Sequence, residues 1–214
     1  SPVAVVLAAG KGTRMHSTRP KVLFPVLGRP IVQRVVDAAR AAGCEEVVVV
    51  VGYQSDVVSA ALRDVHFALQ EGMQGTGQAV QAAASAVDYS GRTVLVLPGD
   101  VPLMSGATLR RLLDEHSGAI TIGTMCPADA TGYGRIVRGA DGGVQSIVEH
   151  RDASEEERAI GEVNSSIYAF DGDFLFGDSP GRGAVFELTT DNAQDEYLLT
   201  DVVSTAVERG LGVS

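Results

Sequence analysis

The sequence is poor in what membrane and secreted proteins need. No apolar stretch in its 214 residues approaches the ~18 needed to cross a bilayer. The short apolar run at the N-terminus has no basic segment before it and ends in glycines, which argues against a secretory signal. There are only two cysteines, Cys44 and Cys126, far apart and without metal-ligand spacing. They are expected to be reduced core thiols in a cytoplasmic protein. No low-complexity tract and no fixed-period repeat is present, which excludes solenoids and disordered tails. The four histidines, His16, His66, His116 and His150, are scattered and form no metal-binding set, so they are expected at the surface or satisfied in the core.

Lysine is scarce as well, and its placement is informative. The chain has two, Lys11 and Lys21, both near the start. The whole chain carries a net charge of −10, which disfavours a nucleic-acid partner by repelling a polyanion. Residues 1–40 nonetheless hold seven Lys/Arg against one acid, a local +6, leaving −16 for the rest. Such a local positive site on an acidic body suits a small anion.

What is present is an α/β pattern. Val3–Ala9 reads as a strand buried on both faces, and Pro30 as the first residue of a helix to about Ala42, stopped by Gly43. On that helix Val32, Val35, Val36 and Ala39 share a face. The β-branched run Val47–Val51 suits a central parallel strand. A helix over Ser55–Leu62, an extended His66–Gln70, an alanine-rich helix Gly77–Val87 and a strand Val94–Leu97 follow, and Ser105 can cap a helix ending near His116. These βαβ units imply a parallel sheet with helices on both faces. After Ile120, short extended pieces (Thr121–Met125, Gly134–Val137, Val144–Val148, Val163–Phe170) predict a β-rich lobe continuing the sheet. Glu155-Glu156-Glu157-Arg158 reads as a solvated helix face, segment 171–183 as a mobile surface loop, and Thr200 as the cap of a last helix, Asp201–Arg209.

The opening loop, LAAGKGTRM over residues 7–15, lies where a phosphate-binding loop would. A Walker loop is excluded because Gly10 and Gly12 are two apart with no Gly-Lys-Thr after them. The dinucleotide fingerprint lacks its third glycine, where Met15 stands. What remains is a set of small residues that lets backbone N–H groups approach an anion closely. Arg14 offers a planar fork for phosphate oxygens and Lys21 a movable point charge. The competing reading is a tight turn with solvated basic residues.

LAAGKGTRM…RPKVL resembles the signature of the sugar-1-phosphate nucleotidyltransferases, which have a Rossmann-like fold. Within them the chain is most similar to the uridylyltransferase domain of the bifunctional bacterial N-acetylglucosamine-1-phosphate uridylyltransferases/glucosamine-1-phosphate acetyltransferases. LQEGMQGTGQAV (69–80), PGDVPL (98–103), GYGRIV (132–137), IVEHRDA (147–153), EVNSSIYAF (162–170) and NAQDEYLLTDVV (192–203) carry the likeness in the family's order.

The resemblance implies one nucleotidyltransferase domain over 1–214: a nucleotide-binding half to about 120, a sugar-binding lobe at about 121–199, and a closing helix at 200–214. The implied reaction is Mg²⁺-assisted in-line attack of N-acetylglucosamine 1-phosphate on UTP, giving UDP-N-acetylglucosamine and pyrophosphate for peptidoglycan and cell-wall synthesis. The attacking phosphate oxygen is already ionised, so no general base is required, and catalysis is charge neutralisation and positioning. Arg14 and Lys21 then hold phosphates and Asp100 is the Mg²⁺ carboxylate, its competing reading being a turn or capping aspartate. Gln70, Gly75 and Thr76, with backbone groups of Leu7, Ala8, Ala9 and Gly10, face the base, and Pro98 and Gly99 are further substrate-binding residues. Gly134, Glu149 and Asn164 line the sugar pocket. Gln70 could instead merely end a strand, Glu149 could pair with Arg151 or His150, and Asn164 could be a turn residue. Where the family usually has Asn-Thr/Ala-Gly, this chain has Asn164-Ser165-Ser166, a departure that bears on which sugar is taken.

The family's second metal ligand, an asparagine, and its hexapeptide-repeat acetyltransferase domain have no counterpart in these residues. The chain is therefore expected to be a fragment, with any oligomer formed through that further domain. The alternatives are a nucleotidyltransferase for another hexose 1-phosphate and a non-catalytic nucleotide-sugar-binding module. A dehydrogenase is the weakest reading.

Overall fold

The computed structural model describes residues 1–12, 17–178 and 181–214. The first strand, β1 (Val3–Leu7), is aliphatic throughout and is followed by the Ala8–Gly12 loop. It stops two residues before the expected end because Ala9 turns to give its carbonyl to the Tyr53 N–H (3.3 Å). A 3₁₀ turn at Lys21–Leu23 leads into a small hairpin, β2 (Pro25–Val26) and β3 (Arg29–Pro30). Its two turn residues, Leu27 and Gly28, have φ of 49° and 77°, the left-handed pair that tight hairpins favour.

Helix α1 (Ile31–Ala41) starts one residue later than expected, since Pro30 is held in the hairpin ladder opposite Pro25. Val32, Val35, Val36 and Ala39 are buried on it as the spacing predicts, and Gly43, at φ 98°, follows its end. β4 (Glu46–Val51), α2 (Ser55–Ala61), β5 (His66–Leu69) and α3 (Thr76–Ala83) come next. α3 ends four residues before the expected Val87, and the buried Tyr89 hydroxyl donates to the Ala83 carbonyl (2.9 Å), satisfying a helix-terminal acceptor. β6 (Thr93–Pro98) and α4 (Gly106–Glu115) complete the first half, with Ser105 Oγ accepting from the Thr108 N–H (3.1 Å) as the expected cap.

The second half contains β7 (Ile120–Met125), β8 (Arg135–Arg138), β9 (Val144–Val148), the solvated α5 (Glu155–Arg158), β10 (Val163–Asp171), α6 (Gly172–Phe176) and α7 (Asp201–Glu208). Three expectations need correction here. Segment 171–183 is not a surface loop where it is described. Asp171 accepts from the Phe174 N–H (2.8 Å) to cap α6, and Leu175 and Phe176 are buried, so apolar burial overrides the glycine- and aspartate-rich composition; residues 179 and 180 lie outside the described residues. Thr200 does not cap α7. Its backbone is already helical and its hydroxyl is spent on Glu149. Cys126 is exposed, and only Cys44 is a core thiol, its pKa pushed up to about 11 by burial.

Among the described residues, eight strands form one sheet in the order β5-β4-β1-β6-β10-β8-β9, with β7 also paired to β10. β5, β4, β1 and β6 are mutually parallel, while β10 joins β6 antiparallel and brings the β-rich lobe onto the same sheet. Both faces of the parallel part are covered. Val3 and Val5 of β1 join a layer with Val48, Val50, Val94, Val96 and Val202. Ala4 and Val6 join the opposite layer with Val35, Val36, Val47, Val49, Leu97 and Leu109. No helix among the described residues is long and apolar enough to cross a membrane.

Candidate active site

The parallel strands all end on the same rim, and the expected nucleotide residues gather there. Leu7 at the end of β1 stands in register with Pro98 at the end of β6 and with Val50 of β4. The Gly99 N–H donates to the Leu7 carbonyl (2.8 Å), and a Cβ at position 99 would stand 2.8 Å from that same oxygen. Only glycine lets β6 leave the sheet so close to β1. Ala8 donates to Val50 (2.9 Å), and Gln70 donates its backbone N–H to Val51 (2.8 Å), so β5 ends on the rim as well. Open α/β sheets bind ligands at this end of their strands, where the connections diverge. Here they diverge at β1, which has β4 on one side and β6 on the other.

Lys21 and Asp100 meet on this rim. The 3₁₀ turn at Lys21–Leu23 is anchored by buried Val22 and Leu23, which leaves Lys21 facing outward. Its stem lies against Gly12 (φ 60°), where an added Cβ would come within 2.6 Å of Lys21 Cβ. Lys21 Nζ donates to Asp100 Oδ2 at 2.5 Å, and both side chains keep about a third or more of their surface open (41% and 35%). Lys11 lies 6.0 Å from the centre of the Tyr53 ring. Arg14 lies outside the described residues.

Gln70 is 7% exposed and bonded within its own loop. Gly75 has φ 100°, and a Cβ there would be 2.5 Å from the Tyr197 carbonyl. The Thr76 hydroxyl accepts from the Leu199 N–H (3.1 Å), and the Gly77 N–H donates to the Tyr197 carbonyl (2.7 Å). The 192–200 strap is thus tied to the mouth of α3. Gly10 has open space around its Cα, as close backbone approach to a ligand requires.

The three sugar-lobe residues are also brought together. Asn164 N–H donates to the Gly134 carbonyl (2.9 Å), and a Cβ on Gly134 would fall 2.9 Å from Ile147 and 3.4 Å from Glu149 Oε1. Glu149 does not pair with Arg151 or His150. Its Oε1 accepts from Thr200 Oγ1 (3.2 Å), and burial, aided by Asp201, Asp152 and Glu196, raises its pKa above the ordinary value. Asn164 does serve as a turn residue. Its Oδ1 accepts from the Ser166 N–H (2.9 Å) and its Nδ2 donates to the Tyr168 hydroxyl (2.5 Å), which pins the bulge where Ser165 and Ser166 interrupt the β7 ladder. A second lone pair and a second proton remain on that amide. His150 departs from the expectation of a satisfied ring, since its Nδ1 is buried and has no hydrogen bond among the described residues.

Sequence reasoning missed Thr200, Tyr168 and Gln78. Each acts through a neighbour distant in sequence or by a hydrogen bond whose direction no spacing encodes. The two sub-sites meet through the strap, where adjacent residues Leu199 and Thr200 bond Thr76 on one side and Glu149 on the other. This is an open rim. A cavity of about 420 Å³ lies away from it, lined by residues including Gln81, Val87, Tyr89, Phe176 and Phe186.

Among the described residues no cluster of three or more His, Cys, Asp or Glu could cage a metal. The donor set that exists, the partly exposed Asp100 carboxylate with Oδ2 bonded to Lys21, fits a hard cation that takes its remaining ligands from substrate and water.

A sheet that is parallel from β5 to β6 and carries a lobe joined at β6/β10 defines an α/β protein of the open-sheet class, and the chain belongs to the MobA-like NTP transferase domain family, which it matches over residues 4–164. It is similar to the protein named Bifunctional protein GlmU of Geobacter metallireducens, at 49% identity over 215 residues covering 97% of this chain and 44% of that protein. Bifunctional protein GlmU of Brevibacillus brevis is 49% identical over 211 residues, with the same coverage of 97% and 44%. That of Corynebacterium aurimucosum is 45% identical over 218 residues, again at 97% and 44%. The chain thus spans less than half the length of these relatives. A crystal structure described as UDP-glucose pyrophosphorylase complexed with UDP-glucose shares the fold at a TM-score of 0.77 and 20% identity, covering 98% of this chain and 88% of that one.

Proposed function

We propose that this chain is an N-acetylglucosamine-1-phosphate uridylyltransferase, acting in the cytoplasm to supply UDP-N-acetylglucosamine for cell-wall synthesis. The observation that carries the reading is the Lys21–Asp100 pair on the rim between the Gln70 loop and the Gly134–Glu149–Asn164 cluster. The 49% identity to proteins named Bifunctional protein GlmU supports the reading. In this reading residues 1–120 are the nucleotide half, 121–199 the sugar lobe and 200–214 the closing helix.

The chemical difficulty is repulsion between two anions. Each pair of unit charges 4 Å apart repels by ~4 kcal/mol at an effective dielectric near 20. Lys21, together with Arg14, lowers that cost by holding phosphate oxygens, and the Ala9 and Gly10 amides orient the nucleotide without reorganising. Glu149 and Asn164 hold sugar hydroxyls and the acetamido group, so that the phosphate of the sugar faces the α-phosphorus of UTP in line. Mg²⁺ held by Asp100 neutralises triphosphate charge when bound.

Pyrophosphate release measured across four nucleoside triphosphates and several sugar 1-phosphates tests the whole reading. UTP with N-acetylglucosamine 1-phosphate is expected to lead, and to depend on Mg²⁺. Glucose 1-phosphate as the better acceptor overturns the acetamido assignment, and binding without pyrophosphate release leaves a nucleotide-sugar-binding module. Lys21→Ala is expected to lower kcat by about 100-fold, on the scale of ~3 kcal/mol for one preorganised donor.

A further inference from the structure

The two ends of a glutamine amide are alike in shape, and only its partners decide which end points where. For Gln78, on the first turn of α3, backbone groups decide it. Gln78 Oε1 accepts from the Gln74 N–H (3.0 Å), and Gln78 Nε2 donates to the Glu71 carbonyl (3.0 Å) and to Gln74 Oε1 (3.2 Å). A backbone N–H can only donate and a backbone carbonyl can only accept, so Gln78 has one orientation. The oxygen it thereby presents receives Gln70 Nε2 at 2.9 Å, and Gln70 Nε2 also donates to the Gly75 carbonyl at 3.1 Å. Both protons of the Gln70 amide are consumed. Reversing Gln70 would set its oxygen against two acceptors in a site that is 93% shielded, a costly arrangement.

We propose that Gln78 is a positioning residue that makes Gln70 an acceptor only, and so selects uracil over cytosine in the nucleotide. This rests on the reading of Gln70 as the base contact given above. Free in solution a glutamine amide can either give or accept, and would suit either pyrimidine. Held as it is, Gln70 offers Oε1 alone, and among the described residues that atom has no hydrogen bond. An acceptor matches the ring N–H at position 3 of uracil. Cytosine has an unprotonated nitrogen there, and the two lone pairs repel. Thymine carries the same N–H, so this contact does not separate it from uracil.

The test compares UTP with CTP by kcat/KM for pyrophosphate release, and UDP with CDP by calorimetry, in the full chain. Gln78→Met removes the Gln78 acceptor at nearly constant length and leaves the Gly75 carbonyl as the one remaining restraint on the orientation of Gln70. The UTP:CTP ratio is expected to fall about tenfold or more, largely through better use of CTP. Gln78→Glu keeps an acceptor toward Gln70 and Gln74 and is expected to hold the ratio near that of the unmodified protein. A merely structural Gln78 would weaken both nucleotides equally, and an unchanged ratio in Gln78→Met overturns the proposal. Failure of the underlying reading looks different: the unmodified protein would show no preference for UDP over CDP, or Gln70→Ala would leave the preference intact.

Discussion

Glu149 shows how the proposed function and stability would oppose each other at one side chain. In that role it accepts sugar hydroxyls best when ionised, yet burial first, and then Asp201, Asp152 and Glu196, favour its protonated form, with the Thr200 hydroxyl opposing them. The folded protein therefore binds a proton more tightly at this site than the unfolded chain does. The stability that this site contributes is full below the ordinary value of 4.5 and is lost as pH rises through the higher native pKa. Glu149→Gln is accordingly expected to raise Tm at pH 7, by roughly 2–4 °C for each kcal/mol recovered, and by less at pH 4. The same change is expected to raise KM for the sugar 1-phosphate. In the unmodified protein that KM should climb on acidification at a higher pH than for an exposed glutamate. A Tm that falls at neutral pH in Glu149→Gln would contradict the account.

At the scale of elements, apolar runs were readable, while the stops of β1 and α3 and the buried detail were not. β4 follows its β-branched run, β9 has the expected bounds, and α1 buries the face that its spacing names. α6 was not readable, because residues 171–183 are full of glycine and aspartate while Leu175 and Phe176 alone decide the packing. In the site, Lys21 and Asp100 could be named from sequence, but their pairing across 79 residues and the polarity of Gln70 exist only once strands are adjacent. The strap at 192–200 is similar. Its Tyr197 accepts from Gly77, and a Cβ at position 77 would stand 2.4 Å from Leu188 Cδ1 and 2.9 Å from the Tyr197 carbonyl. Gly77→Ala is thus expected to cost about 1–3 kcal/mol of stability by overpacking, read from urea unfolding. It should also weaken uridine nucleotide binding, since the mouth of α3 shifts with the strap.

The whole molecule is organised by strands shared between its parts. β1, β4 and β6 supply alternate side chains to both core layers, and β10 pairs with β6 of the first half and with β7 and β8 of the lobe. One of the two core layers is built from both halves, with Tyr168, Phe170 and Val202 packed beside Val48 and Val96. Scanning calorimetry is expected to give a single transition with matching calorimetric and van't Hoff enthalpies. Two resolved transitions would mean that residues 121–199 melt as a separate unit. The charge arrangement also belongs to this scale, because a body at −10 with a basic opening segment is expected to favour a compact anion over an extended polyanion.

β1 is apolar on both sides, so hydropathy cannot tell its true alignment from one shifted by a residue. A slip would trade Val3 and Val5 for Ala4 and Val6 and leave every side chain in an oily environment. What distinguishes the alignments is the cluster of contacts at its end: Leu7 with Gly99, Ala8 with Val50, Ala9 with Tyr53. The same stretch, Leu7–Gly10, supplies the cradle proposed for the nucleotide. Evolution toward tighter substrate capture and evolution toward error-free strand assembly therefore act on one short stretch of backbone, and a change that loosens either is expected to loosen both.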